Sequence, residues 1–119
     1  MDYKHITLPR HNLNISNTIL LATDIQPLAK LVLAEIVWMQ DYNWAHNQAR
    51  YCMASNFYFK AIFHITTRQV SNIISDLCNK GYIKVVKYQK GDFRHLMYDY
   101  NKCFERDIAL GLKNQSEYD

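Results

Sequence analysis

Residues 54–83, ASNFYFKAIFHITTRQVSNIISDLCNKGYI, decide the fold of this chain. In the second half of this segment, four apolar residues recur at i, i+3, i+4 and i+7, the spacing of one helical face. They are Val70, Ile73, Ile74 and Leu77. Thr66 and Gln69 predict a capping box, in which each side chain bonds the backbone N–H of the other residue. Gly81 predicts the end of the helix, because glycine readily adopts the left-handed conformation found there. We therefore predict a helix over Thr67–Lys80.

A shorter helix is predicted before this one, and a hairpin after it. The shorter helix, Asn56–Phe63, opens with Asn56 as a cap or first-turn residue. Its apolar residues are expected to pack into the core: Phe57, Phe59, Ile62 and Phe63. Beyond Gly81, residues rich in β-formers predict strands over Tyr82–Tyr88 and Phe93–Asp99. Gly91 lies in the turn between them and supplies the positive φ that tight hairpins need.

This combination resembles the helix-turn-helix core of winged-helix DNA-binding domains. The residues that carry the resemblance are Asn56, Phe59, Phe63, Ile65, Thr66, Val70, Ile74, Leu77, Gly81, Tyr82 and Ile83. Within this class the pattern resembles the N-terminal modules of phage and plasmid replication initiators and small repressors of like build. The resemblance implies an α+β fold, a winged helix-turn-helix with a three-helix core and a C-terminal β-hairpin wing.

Two positions depart from the family pattern. Lys60 stands where the family usually has a small alanine, and its stem is expected to pass along the second helix with the amine in solvent. His64 stands in the turn, where the family usually has glycine. Histidine tolerates positive φ better than most residues, so we still expect a turn there.

A long helix is predicted before this pair, over Pro27–Tyr42, with Asp24 as its N-cap. Most of its apolar residues turn toward one side: Leu28, Leu31, Val32, Ile36 and Met39. Leu33 and Val37 fall elsewhere, so the apolar surface is wider than a one-sided helix needs. Either the helix is sandwiched within the monomer, or its surplus surface binds a second subunit in a homodimer.

The whole chain, 1–119, is expected to form one domain. Residues 1–23 would be an N-terminal arm with a strand near Tyr3–Leu8, although 12–23 is ambiguous between extended chain and a short helix. Residues 24–99 would be the core. Within it, 43–53 breaks the helical periodicity and predicts a loop, in which Trp44 and Tyr51 cover an edge of the core. Residues 100–119 would form a tail and a short helix that either caps the core or joins a dimer contact.

Composition excludes several classes of protein. A hydrophobic content of 49% supports a packed core rather than disorder. The longest apolar run is interrupted by Glu35 and is too short to span a membrane, and no secretory leader is visible. The three cysteines, Cys52, Cys78 and Cys103, show no CxxC spacing and predict free thiols in a reducing cytoplasm. The histidines are scattered, so no metal or other cofactor is expected. For Glu35 we expect a structural hydrogen-bond partner.

Positive charge is concentrated in the half of the chain that carries the family resemblance. Between Ser55 and Tyr98 the sequence has seven basic and two acidic side chains, a net charge of +5, whereas the whole chain carries +3. A basic surface on a helix-turn-helix pattern is typical of phosphate contact. Basic residues near the hairpin turn, with His95 as a further candidate, would make the tip of the hairpin basic.

The candidate DNA-binding residues lie on the capped helix and on the hairpin. Opposite the apolar face at 100° per residue lie Arg68, Asn72, Ser75 and Asn79, with Ser71 beside them. Arginine and asparagine can each make paired hydrogen bonds to bases in the major groove. The resemblance implies that the opening residues of this helix contact bases and that the hairpin holds phosphate. The predicted set is Thr67, Arg68, Ser71, Asn72, Ser75, Lys87, Lys90 and Arg94.

These observations predict sequence-specific binding of double-stranded DNA, in a transcriptional regulator or a replication-initiation module of a phage, plasmid or other mobile element. A homodimer would read an inverted repeat. The alternative is a winged-helix protein-interaction module, for example a mobile-element inhibitor, that does not read DNA. An enzyme is disfavoured, because the sequence has no glycine-rich phosphate loop, nucleophile elbow or paired metal-ligand motif. We expect neither a membrane nor a small-molecule substrate as a partner.

Overall fold

The computed structural model describes residues 12–47, 51–89, 93–101 and 105. Within these ranges the chain forms four helices and a two-stranded antiparallel sheet, an α+β architecture as predicted. The elements are α1 (Asn17–Leu20), α2 (Pro27–Asn47), α3 (Asn56–Phe63), α4 (Thr67–Asn79), β1 (Ile83–Gln89) and β2 (Phe93–Tyr98). The predicted strand at Tyr3–Leu8, the hairpin turn at Gly91 and most of the predicted C-terminal helix lie outside the described residues.

Both ends of α4 form as the sequence predicts. The backbone N–H of Gln69 donates to Thr66 Oγ1 at 3.0 Å, and the N–H of Thr66 donates to Gln69 Oε1 at 2.9 Å, which completes the capping box. At the other end, Gly81 has φ 81°. The N–H of Tyr82 then donates to the Leu77 carbonyl at 3.0 Å, a bond that closes the helix in a Schellman motif.

The link between α3 and α4 is tight. Ser55 caps α3 by accepting a hydrogen bond from the N–H of Tyr58, so Asn56 is the first helical residue. His64 ends α3 in the left-handed conformation, with φ 55° and ψ 45°, and its N–H donates to the Lys60 carbonyl at 2.9 Å. The turn expected at His64 therefore forms.

The core lies between α2, the α3–α4 pair and the hairpin. Residues without measurable exposure come from each of these elements: Val32, Leu33 and Ile36, Phe59, Val70 and Leu77, and Leu96. Leu33 is buried, and Val37 is half-buried against the same cluster, so the apolar surface that looked surplus in the sequence packs within the monomer. The homodimer stays a prediction, but it now requires a different surface.

Helix α2 begins at Pro27 as predicted, but its C-terminal end and its N-cap differ from the prediction. It continues to Asn47, so residues 43–47 are helical and not a loop. The added turn is held from outside, because the Asn43 side-chain amide donates to the Tyr51 carbonyl at 2.7 Å. At the start of the helix, Asp24 is not the N-cap. It lies three residues before Pro27, where its carboxylate accepts a 2.5 Å bond from the Tyr82 hydroxyl.

Two predicted core aromatics are exposed instead. Phe57 is 45% exposed on the outer side of α3, although its neighbour Phe59 is fully buried. Trp44 is 49% exposed and does not cover an edge of the core. Phe57 was misplaced because an aromatic residue adjacent to the buried stripe of a short helix looks like part of that stripe. Trp44 was misplaced because residues 43–47 continue α2, which carries its side chain into solvent.

The hairpin is tied to the rest of the domain by hydrogen bonds from β2. The β1–β2 register slips between Val85 and Lys87, which marks a bulge. Strand β2 also pairs with Cys52, through N–H to carbonyl bonds of 2.8 and 2.9 Å with Leu96. From α2, the buried Gln40 accepts a 2.7 Å bond from the N–H of Tyr98. The hairpin is therefore fixed in orientation relative to α2.

Replacing Gly81 by alanine should destabilise the domain by about 1–2 kcal/mol, because a Cβ is strained in the left-handed conformation that Gly81 adopts. Gly81→Asn should recover part of the loss, since asparagine tolerates this conformation. The measurement is the free energy of unfolding in urea, with Asn79→Ala, at an exposed position two residues earlier, as the control. Equal stability of Gly81→Ala and the parent would contradict the assigned helix end.

Candidate nucleic-acid interface

Helix α4 presents a polar face to solvent opposite its buried stripe. The residues of this face are all exposed: Arg68, Ser71, Asn72, Ser75 and Asn79. Val70, Ile74 and Leu77 are buried on the other side. Thr67, the first helical residue, is half-buried. The predicted separation of the two faces is confirmed, and the amide, hydroxyl and guanidinium groups of α4 are available together.

Charge on α4 leaves this face positive. The only acidic residue within Thr67–Asn79 is Asp76, which pairs with Lys80 at 2.9 Å, one turn along the helix. Exposed pairs of this kind add little to stability. This pair does, however, offset the one negative charge of the helix, so Arg68 sets the charge of the face near its N-terminal end.

A notch separates α4 from the hairpin, and Arg94 lies in it. The notch has a volume of about 280 Å³ and seven lining residues: Ser71, Ile74, Ser75, Cys78, Asn79, Val85 and Arg94. None of the seven is acidic. The structure thus brings Arg94 together with Ser71 and Ser75, three residues that the sequence assigned to two separate elements. Lys90 and the side chain of Lys87 lie outside what the structure describes.

Alternation along β2 explains the position of Arg94. Arg94, Leu96 and Tyr98 share one face of the strand, and Leu96 and Tyr98 are buried in the core. Arg94 is therefore directed back toward α4. His95 points to the other face, where it is 6% exposed and lies 5.1 Å from the ring of Tyr51. The expectation that His95 adds to a basic hairpin tip is wrong, because Tyr51 covers it.

Asn56 is a site residue that the sequence reasoning missed. Its side-chain amide donates to Ser71 Oγ at 2.9 Å, which links the first turn of α3 to the middle of the polar face of α4. The sequence marked Asn56 only as a helix-opening residue. The sequence did carry one signal for this contact, because Asn56 and Ser71 lie on two predicted helices that are joined by a short turn.

The buried acidic side chain of Glu35 has a structural partner. Glu35 is 3% exposed and accepts a 2.7 Å hydrogen bond from the Tyr58 hydroxyl, which is the kind of partner expected for it. Burial, and then the bond to Glu35, raise the pKa of Tyr58 well above its usual range. Tyr58 therefore stays protonated at neutral pH and donates its hydroxyl proton to Glu35.

The cysteines in the described ranges are free thiols, as predicted. Burial raises the pKa of Cys52 to about 12, so this thiol stays protonated and unreactive at neutral pH. Burial also raises the pKa of the half-buried Cys78, which lines the notch. Among the described residues, no group of three or more histidine, cysteine or acidic side chains could hold a metal ion. Nor does any helix there have the length and apolar character needed to cross a membrane.

Comparisons of the chain with protein-family models, curated proteins and solved structures find no match. The case for a function therefore rests on the geometry of α4 and its surroundings.

Proposed function

We propose that this protein is a winged-helix domain that binds double-stranded DNA sequence-specifically through α4. The observation that carries the proposal is the exposed face of Arg68, Ser71, Asn72 and Ser75, backed by a buried stripe on the same helix. A face selected only for solubility would more often carry glutamate and lysine. These side chains instead offer donors and acceptors that match base edges and phosphates.

In this proposal, residues of α4 read bases in the major groove and the hairpin holds backbone phosphate. Arg68 and Asn72 would make paired hydrogen bonds to guanine and adenine, with Thr67, Ser71 and Ser75 beside them. The hairpin residues Lys87, Lys90 and Arg94 would contribute affinity with little sequence information. The biological output would be regulation of transcription or initiation of replication, since both require a protein that recognises one DNA site.

Selection of bound sequences from random duplex DNA tests the proposal directly. We expect a defined site to be enriched, and the logarithm of the binding constant for that site to fall linearly with the logarithm of salt concentration. A bound pool without sequence preference would contradict specific reading. Failure to bind duplex DNA even at low salt would remove the proposal.

A second candidate, a protein-interaction module, is favoured by one observation. Near the C-terminal end of α2, Tyr42 and Trp44 are 42% and 49% exposed, and Tyr42 stacks on Trp38 at 5.0 Å and on His46 at 4.0 Å. Exposed tyrosine and tryptophan are enriched at the centre of protein interfaces. Binding through this aromatic surface would weaken much less with salt than binding to phosphate.

The same aromatic surface is where we place the homodimer contact of the proposed DNA-binding protein. A two-fold dimer would read an inverted repeat with half-sites about one helical turn apart. Sedimentation of the protein at tens of micromolar, with and without the selected DNA, measures the oligomeric state. A monomer under both conditions would remove the dimer without affecting the reading role of α4.

A further inference from the structure

We propose that the notch between α4 and the hairpin binds one phosphate group of a nucleic-acid backbone, held by Arg94 and the polar residues of α4. This inference rests on the proposed function and deepens it. In this inference Arg94 acts together with Ser71, Ser75 and Asn79 of α4, and not with the basic residues of the hairpin tip. The notch would thus fix one backbone phosphate against the same helix whose outer residues read the bases.

The first support is the set of donors. Ser71, Ser75 and Asn79 follow one another at intervals of four residues, so they form a row along one side of α4. The Arg94 side chain faces this row across the notch. A guanidinium group beside hydroxyl and amide donors suits a non-bridging oxygen of a phosphodiester, because a hydrogen bond between oppositely charged groups is strong.

The second support is the hydrogen bond from Asn56 to Ser71. The Asn56 amide donates to Ser71 Oγ at 2.9 Å, so the serine oxygen acts as the acceptor in this bond. A serine hydroxyl has one proton to donate, and that proton is not used in the bond to Asn56. Asn56 therefore acts as a positioning residue that leaves Ser71 able to donate to an anion.

The third support is the size and wall of the notch. Its volume of about 280 Å³ lies below the range of pockets that hold drug-sized molecules, so a small group fits it better. Val85, which is 36% exposed, and Ile74 provide an apolar wall beside the polar row. A backbone phosphate is flanked by sugars whose carbon atoms can pack on such a wall, whereas a free phosphate ion has no carbon atoms that could do so.

The test combines neutral backbone substitutions with protein variants in a double-mutant cycle. Duplexes carrying the selected site would have one phosphate at a time replaced by an uncharged methylphosphonate. For the parent protein we expect one position where this lowers affinity roughly tenfold or more, because a charge-assisted contact is lost. Arg94→Ala should bind weakly to every duplex and no longer respond at that position.

Two further sets of variants guard against indirect effects. Ser75→Ala and Asn79→Ala change exposed side chains of α4, so both variants should stay folded, and they should reduce the response at the same position. Lys84→Ala removes an equal charge from an exposed site on β1 outside the notch, and should keep the full response. An unchanged methylphosphonate profile in Arg94→Ala would overturn the phosphate assignment and leave the proposed reading of DNA by α4 intact.

The rate of alkylation of Cys78 provides a second measurement inside the notch. It is made on the whole 119-residue chain carrying Cys103→Ser, so that Cys103 does not react. Selected duplex should slow alkylation of Cys78 by iodoacetamide in the parent, and much less in Arg94→Ala. Inorganic phosphate at matched ionic strength is the other arm. Protection by DNA, with or without protection by phosphate, supports the backbone site. If the protein binds no DNA, the proposed function fails independently of the notch. Protection of Cys78 by inorganic phosphate would then assign the notch to a free ion. No protection of Cys78 by phosphate would overturn the anion site altogether.

Discussion

Phe59→Ala should remove a large part of the stability of the domain. Phe59 lies in the middle of α3 without measurable exposure, in the same cluster as Val70 and Leu77 of α4, and its ring meets that of Tyr58 edge-on at 5.6 Å. Truncating a buried phenylalanine to alanine costs about 3–5 kcal/mol, from lost burial and from the cavity that remains. Small domains are stable by only about 5–15 kcal/mol in total, so the variant should lose a large fraction of this free energy and unfold at a clearly lower urea concentration.

The same helix offers a matched control. Phe57 is two residues earlier and 45% exposed, so Phe57→Ala removes the same atoms without opening a cavity. Its cost should stay within about 1 kcal/mol, since surface substitutions are nearly neutral and alanine is the better helix former. Urea unfolding followed by far-UV circular dichroism measures the free energy of unfolding of both variants. Similar losses in the two variants would mean that α3 does not bury the face assigned to it.

The elements predicted well from the sequence are those whose signals are local. The start of α4 depends on Thr66 and Gln69, three residues apart, and its end depends on Gly81, next to the last turn. Such signals keep their meaning whatever surrounds the helix. The bounds of α3 follow the prediction for the same reason, and those of α4, β1 and β2 differ from it by one residue.

The errors arise where a distant partner decides the outcome. Asp24 resembles an N-cap in sequence, but it bonds the hydroxyl of Tyr82, 58 residues away. Residues 43–47 look irregular, yet Asn43 is held by Tyr51 across the following segment. No local pattern contains these contacts.

The candidate site divides in the same way. The polar face of α4 follows from helical periodicity, and its exposure is confirmed. The meeting of Arg94 with that face depends on how the hairpin packs, through Leu96 and Tyr98, against the helices. Charge counting placed Arg94 and His95 together at the tip, whereas alternation along β2 puts them on opposite faces. The roles of both elements on DNA stay predictions.

Arg68→Ala and Lys90→Ala should weaken DNA binding in different ways. Arg68 is exposed at the second position of α4, where the side chain can reach guanine through two hydrogen bonds. Its loss should cost roughly 1–3 kcal/mol on the selected site and relax the preference at one base position. A lysine that contacts phosphate carries no sequence information. Lys90→Ala should therefore weaken all sequences alike and lower the salt slope by about one unit.

Titrations of each variant against the selected duplex and a scrambled duplex, at several salt concentrations, separate these outcomes. Arg68→Ala should stay folded, because Arg68 lies outside the buried stripe of Val70, Ile74 and Leu77, and its urea unfolding curve checks this. Selective loss on the preferred duplex identifies α4 as the reading helix, because a merely electrostatic contact would weaken both duplexes equally. If Arg68→Ala binds the selected site as tightly as the parent, α4 does not read the DNA. The aromatic surface at the end of α2, and with it a protein partner, then becomes the better account of what this domain binds.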